Sequence, residues 1–202
     1  MMAPETQMNR SQKTTCVTFL VSLAYAIIRY CCFGDVSIHD IPLFVTNKAI
    51  AVTGLVLFGI AGLMQSKQDR RDLGLLAAGC IFLHVIATLI LFSQNYFEKL
   101  SDSITHRLHW YAQVSMLASI MASLCLLILM RTSDSSQSAQ ISKSLIPGLG
   151  TLVLILTLLH LAFMGWQGWL DVASWPGSFP PLTLLGAIAC VGFLLKRTLA
   201  KQ

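Results

Sequence analysis

Six apolar runs, at 16–33, 48–64, 73–92, 110–130, 146–166 and 181–195, each approach the roughly 20 residues that an α-helix needs to cross about 30 Å of hydrocarbon. A backbone in lipid has to satisfy its own hydrogen bonds, so runs of this length and continuity are helices. Composition agrees: 55% of the 202 residues are hydrophobic and only 11% charged, against roughly 25% charged in a soluble domain. We expect an all-α membrane protein, a six-transmembrane-helix bundle over 16–196, with cytoplasmic tails at 1–15 and 197–202. The stretch 1–15 is polar and weakly basic and shows no small-residue cleavage site, so the first run reads as a retained span rather than a signal peptide.

The formal charge of +5 does not point to nucleic acid, because the basic residues fall in short clusters between apolar runs. Arg10 and Lys13 precede the first run, Lys67, Arg70 and Arg71 separate the second from the third, Arg131 and Lys143 separate the fourth from the fifth, and Lys196, Arg197 and Lys201 follow the sixth. The other face receives Arg29, Lys48, Lys99 and Arg107. This bias puts both termini in the cytoplasm, in a plasma membrane or a bacterial inner membrane. The Ser- and Gln-rich stretch 132–144 reads as a linker, and neither face has room for a soluble catalytic domain. Of the six cysteines, Cys16, Cys80, Cys125 and Cys190 lie inside apolar runs as small hydrophobes. Cys31 and Cys32 are adjacent; packing and redox activity are both open to them, although adjacent cysteines make a strained bridge.

Two histidines stand deep in this apolar setting. Counted from the basic ends of their runs, His84 lies roughly 18 Å and His160 roughly 21 Å into the membrane at 1.5 Å per residue. A buried imidazole needs a partner, and an intramembrane ionisable residue is a functional candidate. Equal depth on two parallel helices is what a porphyrin held from both faces requires, one neutral imidazole on each side of the iron. Around His84 we expect Ala77, Cys80, Ala87 and Thr88 to leave room for a flat ring, and around His160 we expect Thr157, Phe163 and Met164. The alternative is that each histidine bonds only to a neighbouring helix. Zinc lacks a third and fourth ligand at this depth, and Met164 reads as packing rather than as a thioether ligand. His39, His106 and His109 belong to the outer water interface. In the fourth run Ala112, Ser115, Ala118, Ser119, Ala122 and Ser123 read as small surfaces for close helix packing.

The chain resembles the membrane domain of the STEAP family (six-transmembrane epithelial antigen of the prostate), haem-containing metalloreductases of the ferric-reductase-like superfamily. The likeness runs through Ile41-Pro42-Leu43-Phe44-Val45-Thr46-Asn47-Lys48, similar to the family's IPxxVxNK. It continues through Arg70-Arg71-Asp72-Leu73-Gly74 followed at the family spacing by His84, and Leu149-Gly150 leading to His160. Gly165-Trp166-Gln167-Gly168-Trp169-Leu170-Asp171 and Pro180-Pro181-Leu182-Thr183 complete it. The resemblance implies one b-type haem with His84 and His160 as axial ligands. It also implies a flavin such as FAD near the cytoplasmic face, reduction of ferric or cupric chelates at the outer face, and a homotrimer; Arg70, Arg71 and Lys143 either attract the flavin diphosphate or serve topology alone.

Two departures stand out. About 15 polar residues take the place of the family's NADPH-binding domain, with no Gly-rich dinucleotide fingerprint, so a separate flavin or NAD(P)H reductase would supply electrons. Asp72 and Ile146 replace glutamines of the flavin region. Arg29 and Lys48 meet haem propionates or an anionic chelate, or they snorkel at helix ends. Trp166, Trp169 and Trp175 form an outer aromatic loop, either an interfacial belt or a substrate platform. The alternatives to a metalloreductase are the haem subunit of another chain, similar to the quinol-linked partners of methionine sulfoxide reductases, and a non-catalytic assembly subunit.

Overall fold

The computed structural model describes residues 8–93, 100–102, 105, 107–132 and 145–199. They contain six helices long and apolar enough to cross a membrane: α1 (Arg10–Ile27), α2 (Thr46–Leu63), α3 (Lys67–Ser93), α4 (Trp110–Thr132), α5 (Leu145–Trp169) and α6 (Leu182–Leu199). Lys143, Lys99, His106 and most of the 132–144 linker fall outside the described residues.

Several helices reach past the expected runs, because a helix does not stop where hydrocarbon does. The first begins at Arg10 and not at residue 16: Asn9 caps it, its Oδ1 accepting from the Gln12 amide at 2.8 Å while Gln12 Oε1 accepts from the Asn9 amide at 3.0 Å. This reciprocal pair satisfies two of the orphan donors at a helix start and converts part of the expected tail into helix. Likewise Lys67–Asp72, all polar, form the first turns of α3. Arg70 folds back so that Nε and Nη2 donate to the Met64 carbonyl, at the residue that closes α2, where a cation suits the negative end of the helix dipole.

At its far end α1 continues through a π-turn, Ile28–Cys32, and a second π-turn, Ile41–Val45, leads into α2. Between them Gly34 makes a tight return: a Cβ there would stand 2.7 Å from the Tyr30 carbonyl oxygen, so only glycine fits. Ala26, Val45 and Leu182 bury together beneath these turns. All six cysteines are free; Cys31 and Cys32 sit in the first π-turn, and Cys190 is buried in α6 with Leu55 and Leu154.

The most extensive helix contacts are within two sequential hairpins, α2 with α3 and α4 with α5, while α6 packs on both α5 and α2, and α1 on α2. By comparison α3 and α4 touch sparingly. The bundle is therefore two antiparallel hairpins tied together by α6, with a gap between α3 and α4.

Candidate functional site

That gap leads into a cavity of about 240 Å³ lined from α2 to α6 and almost wholly apolar. The wall of α3 is Ile81, His84, Val85, Thr88, Leu89 and Phe92; α5 supplies Thr157, His160, Leu161 and Met164; α4 supplies Met116, Ser119, Ile120, Ala122 and Ser123. Leu89 and Ile120 are also 61% and 55% exposed, so the cavity reaches the outer surface between α3 and α4. His84 and His160 thus share one chamber, as their common depth predicts.

Each imidazole is tied from behind by its own hairpin. His84 Nδ1 lies 2.7 Å from Asn47 Oδ1 on α2, and Asn47 Nδ2 donates to Thr88 Oγ1 at 3.0 Å. His160 Nδ1 lies 2.8 Å from Ser115 Oγ and 3.2 Å from the Ser115 carbonyl oxygen on α4, while Ser115 Oγ donates to the His160 carbonyl at 3.1 Å. A carbonyl only accepts, so this contact favours the tautomer with the His160 proton on Nδ1. Among the described residues Nε2 of neither ring has a hydrogen-bond partner, and no group of three or more His, Cys, Asp or Glu side chains is placed to hold a metal ion. With the protons on Nδ1, Nε2 of each ring would be left as a lone pair on two residues that line the same apolar cavity.

The small face expected around His84 is corrected. Ala77 and Cys80 pack against α2 beside Leu57 and Ala61, Ala87 is buried, and of the four expected residues only Thr88 lines the cavity. Because His84 bonds Asn47, it stands at the border between the α2-facing side of α3 and the cavity side, so residues one turn before it turn toward α2. On α5, Thr157 and Met164 do line the cavity, whereas Phe163 stands edge-on to Trp110 at 5.7 Å. The α4 residues read as packing surfaces divide: Ala112 and Ala118 are buried, Ser119, Ala122 and Ser123 line the cavity, and Ser115 bonds His160.

The cationic candidates lie apart from this chamber. Arg29 is 7% exposed and its Nε donates to the carbonyls of Phe179 and Pro180 at 3.1 and 3.0 Å. Lys48 Nζ stands over the Phe44 and Tyr30 rings, 4.4 and 5.1 Å from their centroids. Trp166 and Trp169 belong to α5 rather than to an outer loop; Trp166 is 48% exposed, and Trp169 Nε1 donates to Thr183 Oγ1 at 3.0 Å. Trp175 is in the loop, its Nε1 donating to the Gly168 carbonyl at 2.8 Å. At the opposite end Arg70 is engaged with Met64, Arg71 is exposed, and Gln68 Nε2 donates to Asp72 Oδ1 at 2.9 Å.

Asn47 and Ser115 were not among the expected site residues. A signal existed: a polar side chain entering an apolar helix needs a partner, and in an antiparallel hairpin residues equally distant from the turn share a level. Asn47 and His84 are about equidistant from the α2–α3 turn near residue 65, and Ser115 and His160 are nearly so from the α4–α5 connection. Compared with known proteins, the chain matches no family model and no curated protein.

Proposed function

We propose that this chain is a membrane electron-transfer protein that holds one b-type haem through Nε2 of His84 and His160. In this reading it relays single electrons from the Arg70 and Arg71 side to ferric or cupric chelates at the opposite face, as the STEAP resemblance implies. One observation carries the reading: two imidazoles from different hairpins line a single apolar cavity, each with Nδ1 engaged and Nε2 left over. Histidines that ligate a metal through Nε2 commonly donate Nδ1–H to a carbonyl or side-chain oxygen. The residues present therefore fit the group, which brings the four further nitrogens that the protein does not supply.

When bound, haem alternates between its ferric and ferrous states and so stores and releases one electron. The chain's own contribution is ligation and exclusion. His84 and His160 would hold the group between them, and with both of its open positions taken a metal acceptor would be confined to the edge of the chamber. The aliphatic walls from Ile81, Leu89, Ile120 and Leu161 hold water away and lower the local dielectric. Each cycle oxidises a donor by one electron and reduces one Fe3+ to Fe2+ or Cu2+ to Cu+. A separate flavin or NAD(P)H reductase is the donor in this scheme. A flavin docked at the cytoplasmic side would meet Arg71 more readily than Arg70, whose Nε and Nη2 donate to the Met64 carbonyl.

The test is an absorption spectrum of protein purified from haem-replete cells. A Soret band with sharp reduced α and β bands is expected in the wild type, lost or altered in His84→Ala and in His160→Ala. Folded protein without haem overturns the proposal. Dithionite-reduced protein that stays reduced on mixing with ferric or cupric chelates removes the reductase part and leaves the haem part standing.

A further inference from the structure

The two imidazoles are secured in chemically different ways, and the difference assigns a role to a residue outside the ligand pair. At His160 Nδ1 has two partners on Ser115, Oγ at 2.8 Å and the main-chain carbonyl at 3.2 Å; no side-chain substitution removes the carbonyl, and it can only accept. At His84 the acceptor is the side chain of Asn47 at 2.7 Å, oriented by its amide nitrogen donating to Thr88 Oγ1 at 3.0 Å. Thr88 Oγ1 lies 3.5 Å from the same Nδ1, at the limit of hydrogen bonding, so the short contact to the amide is the one that holds the ring. Asn47 itself is buried, and no other described side chain contacts that nitrogen. An amide has two faces. Presented through its oxygen it keeps the proton on Nδ1 and leaves Nε2 as a lone pair; presented through its nitrogen it would protonate Nε2 and disable the ring as a ligand.

We infer that Asn47, held by Thr88, is the positioning residue for His84: it keeps Nδ1 protonated and so frees Nε2 for the cavity, while His160 keeps a main-chain acceptor that no side-chain substitution removes. The inference rests on the reading of the pair as metal ligands and adds to it a single switchable contact, at one ligand only. A partner of this kind sets ligand basicity as well as ring angle, and its loss typically costs about 10- to 100-fold in affinity for the bound group.

The test compares Asn47→Leu, Asn47→Asp and Ser115→Ala with wild type by haem retention, electron paramagnetic resonance and redox titration. It adds nitrogen-15 NMR of ring-labelled histidine in protein from haem-depleted cells, where no metal holds Nε2. Asn47→Leu is expected to lose haem about 10- to 100-fold more readily, with a rise in high-spin signal. Asn47→Asp retains haem but shifts the midpoint potential downward, because a carboxylate accepting from Nδ1–H makes the imidazole a stronger donor and favours the ferric state. Ser115→Ala leaves retention and potential close to wild type, since the carbonyl remains. In the haem-depleted protein the NMR spectrum shows the His84 proton on Nδ1 in wild type and its displacement in Asn47→Leu. Unchanged retention and potential in both Asn47 variants, an equal effect from Ser115→Ala, or a wild-type His84 protonated on Nε2 overturns the inference. Because the NMR arm reads the ring proton without haem, a wild type that never takes up haem refutes the functional reading, while the position of the His84 proton still decides this inference.

Discussion

Arg29, offered as a ligand contact, also has partners within the protein. Its Nε is occupied by the carbonyls of Phe179 and Pro180, and its guanidinium carbon lies 4.8 Å from the Tyr30 ring centroid. Beside it Tyr25 Oη donates to the Pro180 carbonyl at 2.7 Å. These contacts tie the end of α1 to the segment that opens α6. Hydrogen bonds from a charged donor are worth about 1.5–3 kcal/mol each in net terms, so Arg29→Ala is expected to lower stability by roughly 2 kcal/mol, read as an earlier thermal transition in detergent with an unchanged absorption spectrum. Stability that stays constant while the spectrum or chelate response changes would instead return Arg29 to the role of a propionate or substrate contact. Lys48, stacked on two aromatic rings, belongs to the same apolar corner; a cation there is held by ring faces, which is why its position in the sequence, one residue after Asn47, says little about what it touches.

At the level of helices the hairpin of α2 and α3 depends on close approach at Gly54. A Cβ at that position would stand 2.8 Å from Ile81 Cγ1, 3.2 Å from Cys80 Cβ and 3.3 Å from the Ala77 carbonyl oxygen, so α3 would have to move. Gly54→Ala is expected to cost about 1–3 kcal/mol as an overpacked seam, whereas Gly74→Ala on the same hairpin, with nothing within 4 Å of its Cβ, is expected to be neutral; equal melting temperatures for the two variants would refute this account of the seam. The pair also shows where sequence reading stops. The existence and approximate length of six helices follow from hydrophobicity alone, because lipid demands them. Which face of α3 meets which neighbour does not, since a helix apolar on every side carries no stripe to orient it. Ala77 and Cys80 were assigned to the cavity by their spacing from His84, and the Asn47 bond rotates that face toward α2. Ser115 was hidden for a related reason: within a row of small residues a serine that bonds a histidine looks like one that merely lets helices approach.

For the whole molecule, the two polar clusters stand at the ends of the hairpins remote from the basic turn. His84 lies about 25 Å along α3 from Lys67, and His160 about 22 Å along α5 from Leu145, at 1.5 Å per residue, while Arg70 and Arg71 crowd the start of α3. On the charge bias of the sequence that basic side would be the cytoplasmic one, which would leave the shared chamber closer to the other surface. An electron carrier built this way is one-sided: an acceptor too polar to enter the bilayer meets the chamber from one face only. In vesicles of known sidedness, with the C-terminus located independently by a fluorescent-protein fusion, a membrane-impermeant ferric chelate should reoxidise dithionite-reduced protein quickly when it is on the face bearing the α3–α4 connection. It should do so slowly or not at all when confined to the face bearing Arg70. Equal rates from both faces, or faster reoxidation from the Arg70 side, would mean that the depth of the two imidazoles does not set the direction of transfer.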